Sequence, residues 1–135
     1  MADLTLSAAN IRPLIGSVVK EGVAGGAVTI GDEVYLDANA EWQRTDSDAA
    51  GTATGLGIVV ATASGETTVA ADAGIEVCTF GPVAGFSGLT PGAFGFTSAN
   101  AGKIAETAGT VTWRLGYCFD VTVFYVAPGI SAPTS

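Results

Sequence analysis

The chain has 135 residues, of which 48% are hydrophobic and only 13% are charged, and its formal net charge is −8. This length predicts one domain, because two domains of this total size would each bury only a small core. The excess of acidic side chains disfavours a nucleic-acid partner, since that affinity depends on Lys and Arg contacts with phosphates. The sequence contains no histidine, which excludes imidazole metal ligands and histidine-based catalytic triads.

Apolar runs separated by turn residues predict an all-β fold. The longest helix candidate is 8–20, and Pro13 and Gly16 weaken it. Gly, Asn, Asp and Pro separate the later runs at the spacing typical of a compact β-barrel or β-sandwich. In chain order the predicted strands are 27–30, 33–36, 52–60, 67–70, 75–80, 93–96, 110–119 and 121–126.

Two segments of the chain are similar to each other. The segment that begins Gly31-Asp-Glu-Val-Tyr-Leu-Asp-Ala-Asn-Ala matches Gly92-Ala-Phe-Gly-Phe-Thr-Ser-Ala-Asn-Ala at its glycine and its Ala-Asn-Ala end. A second pair, Ala50-Gly-Thr-Ala-Thr and Ala108-Gly-Thr-Val-Thr, follows in the same order and at nearly the same shift. We therefore predict an internal repeat, approximately 31–61 and 92–120, of two similar strand-turn-strand units. Two such units can close against each other so that neither leaves a long open edge.

The repeat lies within a single predicted β domain, 21–127. The segment 1–20 is either an extended N-terminal arm or a first strand that completes the barrel, and 128–135 is a short C-terminal tail. Apolar arms commonly become ordered on a partner, so this segment supplies interface candidates. They are Leu4, Leu6, Ile11, Leu14 and Ile15.

Long uncharged stretches predict a surface that other protein subunits cover. The segment 77–102 and the last 15 residues carry no charge, and large apolar areas on soluble proteins are commonly association surfaces. Phe86 lies in a Gly-Phe-Ser-Gly loop and is an interface candidate as well as a core candidate. Trp42 has polar neighbours and is predicted to be half exposed, and together with Arg44 it belongs to the residue types enriched at interface hot spots.

Two aromatic residues of the uncharged segment 77–102 are predicted to face the core and not an interface. Phe94 and Phe96 alternate around Gly95, which favours a strand whose aromatic side chains face the core.

The sequence offers no cofactor or metal site that we can identify. The pair Asp32-Glu33 falls at a predicted turn, and Asp46-Ser47-Asp48 lacks the glycine and the distal glutamate of a calcium loop. Cys78 and Cys118 lie in apolar runs, which favours buried free thiols over a disulfide. Glycine and proline interrupt the uncharged stretch 77–102, so we expect neither a spanning helix nor a membrane partner.

Several motifs resemble the capsid cement, or decoration, proteins and related head-fibre proteins of tailed bacteriophages. These motifs are Gly31-Asp-Glu-Val-Tyr-Leu-Asp, the run from Gly55 to Val69, and Gly88-Leu-Thr-Pro-Gly with Ala108-Gly-Thr-Val-Thr and Leu115-Gly. The resemblance covers roughly 18–127. It rests on glycine turns and apolar strands, so it assigns no individual functional residue.

The resemblance implies a β-barrel-like structural protein. The lack of histidine and of a metal-ligand cluster separately predicts that the chain is not an enzyme. Such a protein would bind the major capsid protein on the outside of the virion, often as a homotrimer, after synthesis in the host cytoplasm. The alternative is a head-fibre or tail-fibre module that recognises host glycans, and exposed aromatic side chains such as Trp42 and Phe86 lining a groove would favour it.

Overall fold

The computed structural model describes residues 3–129, which form short, mostly antiparallel strands and almost no helix, so the all-β prediction is confirmed. The first strands of this range are β1 (Thr5–Leu6), β2 (Arg12–Pro13), β3 (Val18–Val23), β4 (Val28–Thr29), β5 (Glu33–Leu36), β6 (Trp42–Arg44) and β7 (Gly57–Thr62). The remaining strands are β8 (Thr68–Val69), β9 (Gly74–Ala84), β10 (Phe86–Ser87), β11 (Phe94–Thr97), β12 (Ile104–Ala105), β13 (Arg114–Cys118) and β14 (Val123–Val126).

Helix is limited to two short pieces of the described residues. Ala8–Asn10 is a single 3-10 turn, and α1 (Ala50–Ala53) is one turn long. The helix candidate 8–20 is wrong over most of its length, because it contains β2 and the first residues of β3.

The longest strand, β9, holds the two halves of the main sheet together. The sheet runs in the order β12-β11-β13-β14-β9-β7-β5-β6. The first part of β9 pairs with β3 and β7, and its last residues pair with β2 and β14. The change of partners falls at Gly81, whose φ of 108° is readily adopted only by glycine. A bent central strand thus lets the sheet curl into a barrel-like shape.

The predicted repeat has the same pairing in both copies. The first unit contains β5 paired with β6 and β7, and the second contains β11 paired with β12 and β13. Each unit begins with a tight turn, in which Asp32 N–H donates to the carbonyl of Thr29 (2.9 Å) and Ala93 N–H donates to that of Thr90 (3.0 Å). The third residue of each turn is the matching glycine, Gly31 (φ 100°) or Gly92 (φ 87°).

Further hydrogen bonds recur at equivalent positions. The N–H of Asn39 is bound by the side chain of Asp37 (2.8 Å), and the N–H of Asn100 is bound by the side chain of Ser98 (3.0 Å). Similar turns therefore follow β5 and β11, the strand of each unit that pairs with the other two. A carboxylate accepts the turn hydrogen bond in the first unit, and a hydroxyl accepts it in the second.

The two ends of the curled sheet meet. Ser47 N–H donates to the carbonyl of Ser98 (3.1 Å), and Gly102 N–H donates to the carbonyl of Thr45 (2.9 Å). These bonds join the segment after β6 to the turn before β12, so the first unit closes on the second and the outer strands are not open edges. Asp32, which ends the turn at the start of the first unit, and Glu33 lie at this closure, and both are buried.

The main core lies between the two halves of the sheet. Its fully buried members include Phe124, Ile58, Leu115 and Val126. Cys78 and Cys118 also belong to this core as free thiols, as the sequence predicted, and burial is the main cause that raises the pKa of each thiol.

The segment predicted as an arm is part of the fold over its described residues. β1 pairs with β10, and β2 and β3 pair with β9, so the first-strand alternative describes it and the free arm does not. Of the predicted tail 128–135, residues 130–135 lie outside the described residues, as do residues 1 and 2.

Candidate interaction surface

The largest cluster of solvent-facing aromatic side chains lies on the outside of the second half of the sheet. Its members belong to β9, β11, β13 and β14 or to the residue that follows β13. We define this aromatic face by Phe80, Phe94, Tyr117, Phe119 and Tyr125.

Strand register explains why these rings share one face. Phe94 is opposite Tyr117, and Tyr117 is opposite Tyr125 on the next strand. Because side chains alternate along a strand, the neighbouring row points the other way, and that row pairs Cys118 with Phe124 in the buried core. The aromatic row therefore points outward.

Three of the other rings of this face lie against Tyr125. Tyr117 stacks on Tyr125 with ring centroids 5.2 Å apart, and Phe80 meets Tyr125 edge-on at 5.5 Å. Phe119 lies 6.4 Å from Tyr125 and is 59% exposed, while Phe80 is 46% exposed. Such contacts hold the rings in place across three strands, so the face is an ordered apolar surface.

Charge is nearly absent from this part of the sheet. On β11, β13 and β14 the one charged side chain is Arg114, whose guanidinium carbon lies 4.6 Å from the centre of the Phe94 ring. Ten of the thirteen acidic residues fall between Glu21 and Glu76, in the half of the chain that precedes these strands. The protein thus combines an acidic first half with an aromatic face that carries little charge.

Three of the residues predicted at an interface are buried instead. Ile11 and Phe86 belong to the main core, where Phe86 packs against Phe124 with ring centroids 5.8 Å apart. Trp42 is 6% exposed, and it packs with Val28 and Val34 in a second core cluster. The prediction of a half-exposed Trp42 is therefore wrong, because its strand faces inward in spite of the polar residues on either side.

The other predicted residues are spread over the molecule. Leu4 and Leu6 are half-buried against the main core, and Leu14 is half-buried in the turn between β2 and β3. Arg44 is exposed on β6. The structure does not bring these residues together into one site.

Ile15 follows Leu14 in the turn between β2 and β3. It is fully exposed, and its turn is held by Leu14 N–H donating to the carbonyl of Pro82 (3.0 Å). Pro82 is the register partner of Tyr125. The turn that carries Ile15 therefore borders the strand pair that carries the aromatic face.

The uncharged segments follow from the sequence, but the predicted inward orientation of Phe94 is wrong. Phe94 is 47% exposed, and the inward position of its strand is Gly95, which is buried. Glycines at the inward positions, Gly95 and its partner Gly116, are the sequence signal that could have identified the aromatic face.

Residues 3–129 contain neither a cluster of potential metal ligands nor a membrane-spanning helix. Within 3–129 no group of three or more Cys, Asp or Glu side chains could hold a metal ion. Nor does any helix of this range have the length and apolar character needed to cross a membrane. The candidate site is the aromatic face, because its rings are exposed and packed on one another.

Comparison with known protein families, with curated proteins and with solved structures finds no match for this chain.

Proposed function

We propose that this chain is a structural protein of a tailed-phage virion that binds the outer surface of the capsid and stabilises the shell by bridging capsid subunits. The observation that carries the proposal is the aromatic face, an ordered and partly exposed apolar surface on an acidic protein. Exposed apolar surface of this kind is costly in water unless a partner covers it.

The partner in this proposal is the major capsid protein, and the contact is the aromatic face. Aromatic residues and arginine are enriched at the energetic centres of interfaces, and Phe94 with Arg114 supplies both types side by side. The acidic first half of the chain would then face solvent. Repulsion between like charges on that surface opposes disordered binding of further copies to it.

The stabilising mechanism is the addition of contacts. Each copy buries apolar surface on two or more capsid subunits, so separating those subunits also requires breaking the new contacts. A homotrimer on the capsid exterior would multiply this effect, because the second and third contacts form at high effective concentration.

The alternative, recognition of host glycans by a fibre module, has less support. The side chains expected to line a sugar-binding groove, Trp42 and Phe86, are both buried. Tyr117 and Tyr125 stack against each other, so each covers a ring face of the other that a sugar would otherwise use.

The experiment is a binding assay with expanded, undecorated capsids of the phage that encodes the chain. We expect wild-type protein to saturate these capsids at a fixed stoichiometry. Phe119→Ser changes an aromatic side chain that is 59% exposed, and Leu36→Ser is the matched control on β5, where Leu36 is 44% exposed.

The assay tests two claims separately. One is that the protein binds capsids, and the other is that the aromatic face is the contact. We expect Phe119→Ser to bind about tenfold or more weakly, and Leu36→Ser to bind as the wild type does. Wild-type protein that does not bind capsids contradicts the proposed function. Equal binding by wild type and Phe119→Ser would instead exclude the aromatic face as the contact.

A further inference from the structure

The carboxyl group of Glu33 is buried where the two repeat units meet. Glu33 lies on β5 of the first unit and is fully buried. Its Oε2 atom is 2.6 Å from the hydroxyl oxygen of Thr97, which lies on β11 of the second unit. Gly55 packs against the carboxyl, and the indole N–H of Trp113, again from the second unit, donates to the Gly55 carbonyl at 2.8 Å. The carboxyl is thus enclosed by both units.

The Thr97 hydroxyl lies between two acceptors. Besides Glu33, it is 2.8 Å from the backbone carbonyl oxygen of Ala53. A hydroxyl has a single hydrogen, so it can donate fully to only one of these oxygens. If Glu33 is a carboxylate, one of the two short contacts lacks a hydrogen.

A neutral carboxylic acid removes this conflict. The acid O–H of Glu33 then donates to Thr97, and the hydroxyl of Thr97 donates to Ala53, so each short O···O distance contains one hydrogen. Both distances are in the usual range for O–H···O bonds. The other carboxyl oxygen, Oε1, has no hydrogen-bond partner in the described structure, and a neutral oxygen is far less costly than a charged one in that position.

Among residues 3–129, no cation acts on the carboxyl of Glu33. The residues that reach its carboxyl from β11 and from the segment after α1 are Thr97 and Gly55, and neither titrates. Lys103 and Arg44 act on the neighbouring carboxyl of Asp32. Burial is the largest cause and raises the pKa of Glu33 to about 8.

We propose that Glu33 is a neutral acid at neutral pH and that the chain of hydrogen bonds from Glu33 through Thr97 to Ala53 is a proton-dependent latch between the two units. Loss of the proton leaves a buried, uncompensated charge at the closure of the sheet. The latch weakens as the solution becomes alkaline. This proposal goes beyond capsid binding and does not depend on it, because the isolated protein tests it.

The sign of the pH effect follows from the two pKa values. In the unfolded chain Glu33 loses its proton near its ordinary pKa of 4.5, whereas in the folded protein it keeps the proton up to about pH 8. Unfolding between these values therefore releases a proton. The stabilising contribution of Glu33 is fully present below pH 4.5, and it is lost as the pH rises to about 8.

The test compares urea unfolding of the wild type and Glu33→Gln between pH about 4 and about 9. The glutamine amide can donate the same hydrogen bond to Thr97 without ionising. We expect the wild-type unfolding constant to rise, relative to that of Glu33→Gln, by up to about tenfold per pH unit across this window. Glu76→Gln, at an exposed position of β9, should follow the wild type.

Two results would overturn the latch. The first is an unchanged difference in stability between wild type and Glu33→Gln across the whole pH range. The second is an infrared spectrum of the folded wild type at neutral pH without the carbonyl band of a protonated carboxylic acid. The spectrum requires no variant, so it remains decisive if Glu33→Gln does not fold.

Discussion

Gly95 lies against the ring of Phe124, which fills the space that a side chain at position 95 would need. A Cβ atom added at Gly95 would come within 2.6 Å of Phe124 Cζ and 2.9 Å of Ile104 Cγ2. The close approach lets Phe124 occupy the centre of the main core, and it leaves Phe94 on the outer surface. One glycine therefore affects both the core and the proposed binding surface.

We expect Gly95→Ala to destabilise the fold by about 1–3 kcal/mol, because the added methyl group overpacks a filled core. The measurement is the urea midpoint of unfolding. Gly51→Ala is the control, since a Cβ atom there meets no other atom within 4 Å. Equal midpoints for Gly95→Ala and the wild type would contradict the packing described for Phe124.

Ile11 tests whether the N-terminal segment is part of the core. Ile11 is 6% exposed, so we expect Ile11→Ala to lower the free energy of unfolding by about 2–4 kcal/mol. Ile15→Ala, four residues later at a fully exposed position, should change it by less than about 0.5 kcal/mol. Deletion of residues 1–15 should therefore unfold the protein, whereas a folded, stable deletion product would restore the arm hypothesis.

Gly31 and Gly92 occupy matching turn positions of the two repeat units, so the same substitution can be compared at both. Gly92→Ala forces a residue with a Cβ atom to a φ of 87°, and we expect a loss of about 1–2 kcal/mol although the site has open space around it. Gly31→Ala has the same backbone strain, and its Cβ atom would also lie 2.8 Å from Leu6 Cδ1, so its loss should be larger. Thermal or urea unfolding of the two variants gives the order, and the reverse order would contradict this account.

The two cysteine thiols are expected to react slowly with alkylating reagents. Cys78 and Cys118 are buried and free, and burial raises the pKa of both thiols, so little reactive thiolate is present at neutral pH. We expect iodoacetamide to label both cysteines much more slowly in the folded protein than in the urea-unfolded chain. Mass spectrometry measures the labelling, and fast modification under native conditions or a disulfide between the two residues would be the contrary result.

The sequence predicted the strand content and the repeat because both depend on local patterns. Turns need glycine at particular φ values, and the matched Gly31 and Gly92 occupy them in both units. The predicted free thiols agree with the structure for a related reason, because a small apolar side chain in an apolar run is commonly buried.

The same local patterns failed for the aromatic residues. Phe94 and Phe96 alternate with a glycine, and alternation identifies one face of a strand without saying which side of the sheet that face is on. Trp42 lies among polar residues, yet it is covered because Val28 and Val34 from other strands pack on it. Contacts between residues far apart in the sequence decided both cases.

The sequence by itself determined that this protein is all-β, poor in charge and built from two similar units, because composition, turn glycines and strand periodicity are properties of short segments. Only the tertiary structure decided that Phe94, Tyr117 and Tyr125 form one outward surface and that Glu33 of one unit meets Thr97 of the other. These relationships depend on strand register and on closure of the sheet, which bring together residues as far apart as 64 positions. The physical reason is that burial and hydrogen-bond partners belong to the folded chain as a whole.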